Sequence, residues 1–184
     1  MRLRSLLFVV ALAPALAACG DDPTNTWDVV VDTVTLFSAS RPAFIGQPSA
    51  LDMSISLTFP LPLETPGVTG RWDVVLIDGN GTLSLLPASA FGLDTKSGIA
   101  TIGNRVLEEV SSAPSDTTLY VRTAVPMQMG NVYVLRTRRV DCGGVTGVRY
   151  AKFEPISVDF PNGVLRLRTV VNPFCNNRSL VPSN

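Results

Sequence analysis

The sequence predicts an all-β fold, an antiparallel β-sandwich or flattened barrel, on three observations. Apolar and polar residues alternate with period two, β-rich runs recur at short intervals, and fourteen Gly and fourteen Pro punctuate the spaces between them.

The first run covers residues 27–37. In the second, Leu51, Met53, Ile55, Leu57 and Phe59 alternate with Asp52, Ser54, Ser56 and Thr58, the pattern of a strand with one buried and one wet face. Runs at 72–77 and 82–86 flank Asp78-Gly79-Asn80-Gly81, whose Asn and Gly accept the positive φ of a tight hairpin. Residues 102–111 fit either a short helix or another strand. Further runs lie at 119–125, 132–139, 148–153, 156–160 and 164–171, the last two joined by the turn signal Pro161-Asn162-Gly163. No internal repeat or low-complexity segment interrupts the series.

Ahead of these runs stands an export signal over residues 1–18. Arg2 and Arg4 give it a positive start, residues 6–16 (LLFVVALAPAL) an apolar centre, and Ala17 and Ala18 a small-residue end. The apolar run falls short of the ~20 residues that span a bilayer, and Pro14 interrupts it. Leu16-Ala17-Ala18-Cys19 resembles the bacterial lipobox, which implies that Cys19 is lipidated and becomes the first residue of the mature chain. The alternative is cleavage after Ala17, with Cys19 left as a free thiol. Residues 19–26 then form a polar tether, and 27–184 a single all-β domain. Each buried methylene of an acyl chain contributes ~0.8 kcal/mol, so two or three chains hold such a domain on a membrane. Gly20, rather than Asp, after the Cys points to the outer membrane, with the facing side left open.

Removing 18 residues leaves 184 − 18 = 166, enough for one sizeable core, and 46% hydrophobic with 16% charged residues is a globular composition. Charge is unevenly placed. Residues 19–118 carry 4 basic and 12 acidic residues, whereas 119–184 carry 9 basic and 3 acidic, so the two parts should attract or present faces of opposite sign. With Cys19 spent on lipid, Cys142 and Cys175 remain to bridge. A meander of 132–139, 148–160 and 164–171 would bring both to one end. Two unpaired thiols are the other reading, and a Cys pair without His does not complete a zinc shell.

The absence of His removes Ser-His-Asp and Cys-His nucleophilic systems together with His bases and metal ligands. Glu108 and Glu109, as strand neighbours, would face opposite ways and would not make an acid and base pair. Asp78-Gly79-Asn80-Gly81-Thr82 has the oxygen spacing of a calcium loop without its acidic closing ligand, so no metal site is expected. No phosphate-cradling glycine loop occurs. Arg136 and Arg138 share one strand face, as do Arg166 and Arg168, and in neighbouring strands the four would form a basic patch for a carboxylate or phosphate. An exposed face with Arg stems over apolar surface is the plainer reading. Without Arg2 and Arg4 the mature chain carries 13 basic against 15 acidic residues, and this slight net acidity, with the envelope address, speaks against a nucleic-acid partner.

Trp72-Asp73-Val74-Val75-Leu76, then Gly130-Asn131-Val132-Tyr133-Val134-Leu135-Arg136-Thr137, then Tyr150-Ala151-Lys152-Phe153 resemble the HmuY-like family of heme-binding lipoproteins in order and spacing, over about residues 70–175. The resemblance implies an all-β domain on a lipid anchor, with Tyr133 and Tyr150 as anchors in paired strands and Lys152 ending its run on the wet side. Heme binding in that family relies on paired axial His, which this chain lacks. Met can replace His on heme iron, and Met127 and Met129 at i and i+2 would share a strand face and a pocket, or else be two core residues. Three functions follow: a non-enzymatic module binding a small ligand or an envelope protein without a cofactor, a heme carrier with Met ligands, and a His-independent enzyme. The first is the expectation.

Overall fold

The computed structural model describes residues 27–182 apart from 56, 65–69 and 95. Among these residues two antiparallel sheets pack as a β-sandwich without closing into a barrel. In the first sheet β1 (Asp32–Phe37), β12 (Val164–Val171), β11 (Tyr150–Asp159), β8 (Asn131–Arg136) and β6 (Gly98–Asn104) lie side by side in that order. The second runs β3 (Phe59–Leu61), β2 (Ala50–Asp52), β4 (Val74–Gly79), β5 (Thr82–Pro87), β7 (Val125–Pro126). A separate hairpin of β9 (Val140–Asp141) and β10 (Thr146–Gly147) projects beyond β8.

Period two decides which side chains meet between the sheets. Leu36, Leu135, Phe153, Leu165 and Leu167 come from the first, and Leu51, Val74, Leu76, Leu83 and Leu85 from the second. Tyr133 and Phe153 are cross-strand partners stacked at 5.5 Å, so Phe153→Ala would cost about 3–5 kcal/mol. The first sheet is buried on its other face too, where Val134, Tyr150 and Val170 lie under Leu107, Val110, Tyr120 and Leu180. This second layer explains why β8 reads as an unbroken apolar run.

The β4–β5 hairpin turns on Asn80 (φ 53) and Gly81 (φ 79), the paired positive φ of a type I′ turn. The meander of β8, β11 and β12 forms as expected, with the runs at 148–153 and 156–160 fused into one ten-residue strand. Its register shifts between Pro155 and Ser157, beyond the stretch that β8 covers, so the missing N–H of Pro155 breaks no ladder bond with β8.

Four expectations are corrected. Residues 27–31 stay outside β1. The alternation at 51–59 is not one strand: Asp52 accepts the Ser54 N–H at 2.9 Å and its hydroxyl at 2.5 Å, turning the chain off β2. Met53 is buried while Ile55, Leu57 and Phe59 face outward. Residues 119–125 hold only the end of a 3-10 turn (Thr117–Leu119), an isolated bridge from Val121 to Ile99, and the start of β7. Residues 102–111 divide between β6 and a 3-10 turn (Leu107–Glu109), so Glu108 and Glu109 are not strand neighbours.

Candidate ligand groove at the disulfide-tied end

At the end of the sandwich where β8 and β12 both finish, Cys142 and Cys175 are joined in a disulfide with Cα atoms 6.0 Å apart. The bridge ties the β9–β10 arm to the chain leaving β12, and Asn176 adds a bond from its N–H to the Val148 carbonyl at 2.7 Å. Asn172, fully buried, shapes the following segment. Its Oδ1 accepts the Phe174 N–H at 2.7 Å, and its Nδ2 donates to the carbonyls of Asn177 and Ser179 at 3.2 and 2.6 Å. Ala113 N–H to Arg178 O and Leu180 N–H to Ser111 O then join this segment to residues 111–115. The two segments bank an open, polar groove of about 1150 Å³, with Cys142 and Val145 in its wall.

Behind the arm is a smaller pocket of about 250 Å³, lined by Lys96, Arg136, Arg139, Tyr150 and Asn176 among others. Asn176 borders both spaces. Gly147 forms part of the wall between them: a Cβ there would meet Cys142 Sγ at 2.7 Å and Asn176 Nδ2 at 2.8 Å. Only a residue without a side chain lets the disulfide and the amide close so tightly.

The four arginines that neighbouring strands would have joined in one patch are not together. β11 separates β8 from β12, and the chain bends after β8 so that Arg138 leaves the face that Arg136 occupies. Arg136 stays under Tyr120, its guanidinium 5.0 Å from the ring centroid. Arg138 turns to the second sheet, donating from Nη1 and Nη2 to Asp52 at 3.1 and 3.2 Å and pairing with Asp73 at 3.1 Å. Arg168 is held between Glu108 and Glu154, while Arg166 is exposed on β12.

Met127 and Met129 do not share a pocket either. β7 ends at Pro126, so the alternation needed to align them is lost; Met127 is in the core and Met129 is 57% exposed. The shared pocket that the Met-ligand alternative for heme needs is therefore not formed, and of the two core positions in the plainer reading only Met127 is one. Asp78 binds Arg41 and Ser38, so the loop resembling a calcium site spends its carboxylate on the fold. Among the described residues no group of three metal-ligating side chains occurs. Cys19, the signal and the tether lie outside the described residues.

Of the three segments that carry the HmuY-like resemblance, the first leads into β4 of the second sheet, and the other two form β8 and the start of β11, paired with Tyr150 opposite Arg136. Lys152 departs from expectation. It is 3% exposed, beneath the 3-10 turn over the first sheet, and donates to the Val110 carbonyl at 3.0 Å. Burial lowers its pKa, against the pull of Glu108.

Sequence reasoning missed Asp73, which is fully buried and accepts the N–H groups of Met53 at 2.7 Å and Arg138 at 2.8 Å. The available signal was a carboxylate set between Trp72 and the apolar run that follows it. It also missed Asn172 and the basic pocket, whose parts come from distant stretches of chain. No family model, no curated protein and no solved structure matches the chain.

Proposed function

We propose that the protein is an envelope lipoprotein, anchored through Cys19 on the outer membrane, whose β-sandwich binds a small ligand or a partner protein without catalysing a reaction. The groove between residues 111–115 and 174–179 is the observation that supports binding. It is open, polar and large enough for a ligand of ordinary size, and the disulfide, the Asn172 bonds and the cross-groove backbone pairing hold its walls before any ligand arrives. A binding surface arranged in advance loses less entropy on complex formation.

The test has two arms. Cys19→Ser should abolish lipid labelling and release the protein from the membrane fraction; unchanged membrane association removes the anchor from the proposal. For the groove, polar peptides, glycans and organic acids are screened by thermal shift, and a binder should raise Tm by mass action. Asn177→Trp, at a half-buried position that lines the groove, should fill it and cancel that rise for a groove ligand. A ligand effect untouched by Asn177→Trp, or no effect from any class, counts against the groove.

A further inference from the structure

We infer that the pocket behind the β9–β10 arm is a site for a small oxyanion, a carboxylate or phosphate, received by Arg136 with Lys96 and Arg139 at its mouth. This rests on the binding reading above and names the ligand chemistry for one part of it.

Arg136 is the central observation. It is 6% exposed, and a buried guanidinium ordinarily faces a carboxylate, as the half-buried Arg138 does just past the end of β8. Arg136 has no such partner among the described residues. Its Nε donates to the Lys96 carbonyl at 2.6 Å, and its plane lies against Tyr120. These contacts fix the orientation of the guanidinium without neutralising it. Nη1 and Nη2, the pair suited to bidentate contact with an oxyanion, take no acceptor among the described residues.

The surroundings repeat the sign. Lys96 and Arg139 line the same pocket, which has no carboxylate among its lining residues, and Asp94 is spent on Arg139 at 3.2 Å and on the N–H groups of Lys96 and Arg139. Asn176 Oδ1 accepts the Val148 N–H at 3.1 Å, which leaves its Nδ2 to donate. A volume of about 250 Å³ suits a phosphate or a short dicarboxylate and is too small for a macrocycle. Because Asn176 borders the larger groove as well, a ligand with an anionic head and a polar tail would fill both spaces.

The test titrates the full protein, extracted in nonionic micelles, with inorganic phosphate and separately with succinate, following the backbone amide signals of Gly147 and Asn176. Saturable shifts are expected with at least one of the two, and the one that binds tells phosphate from carboxylate chemistry. Lys96→Gln and Arg139→Gln, both at exposed positions, should each weaken binding about tenfold, and Arg136→Gln should abolish it. Arg166→Gln, the same charge change on a distant strand, should leave it unchanged. Equal weakening by Arg166→Gln, or no saturable shift with either anion, overturns the inference. A groove ligand whose affinity ignores Lys96→Gln and Arg139→Gln overturns this inference alone and leaves the binding reading standing.

Discussion

At the scale of single residues, the buried charges between the sheets set how the fold responds to pH. Burial pushes the Asp73 carboxyl up to about 6, against the opposing pull of Arg138 and of the two N–H groups it accepts. Its folded value lies above the ordinary aspartate value of 3.8, so protonation favours the fold: this contribution is fully present below about pH 4 and declines as pH rises through 6. Asp52 and Asp94 run the other way. Burial would raise both, but hydrogen bonds from Arg138 and Ser54, and from Lys96 and Arg139, hold them below 3.8, so their contribution is lost as pH falls below that value. Tm should therefore rise as pH is lowered from 7.5 towards 5 and drop again below 4. Asp73→Asn should flatten the upper limb and cost several degrees at pH 7, because one amide oxygen cannot serve two N–H donors and a guanidinium. A wild-type Tm that does not change between pH 5 and 7.5 contradicts this. The lack of His was plain in the sequence and governs the chemistry open to the chain. The Asp73–Arg138 pair was not, since its partners are 65 positions apart and only the tertiary fold joins them.

At the scale of elements, the sequence was most legible where a local rule acts alone. Asn80-Gly81 made a hairpin because the φ demand is met within two residues, and the meander followed from three runs joined by short turns. It was least legible where a side chain cut across the pattern, as Asp52 does at the end of β2, or where a buried cation such as Lys152 reads as a surface residue. The β9–β10 arm shows both sides. Its cysteine was foreseen as one half of a bridge, but the short strands were not, because two-residue strands carry no period. Closing a loop across a separation of 33 residues contributes about 3–4 kcal/mol in the chain-entropy model. The double variant Cys142→Ala with Cys175→Ala should lower chemical stability by that amount and speed hydrogen exchange at Cys142 and Asn176, whose N–H groups bond Val145 and Val148. Exchange that rises equally throughout the sandwich would show that the bridge does not serve the arm in particular.

At the scale of the whole molecule, the opposite charges of the two parts of the chain are used to join them. Of six ion-pair contacts among the described residues, four link an acidic residue before position 119 to an arginine after it. The first sheet is assembled the same way, since among the described residues the one strand that pairs with β1 is β12. A chain ending at residue 160 should therefore lack protection of the β1 amides by hydrogen exchange, and protected β1 amides in that fragment would contradict the pairing. The pairing also sets an order of events. A chain that emerges with its N-terminus first presents β1 long before β12, its strand partner among the described residues, exists, so this strand waits unpaired while the rest of the protein is made. Completion is reserved for the final strand. Until it arrives the first sheet lacks both β12 and the β1 edge that β12 holds, and β11 is left as the open side.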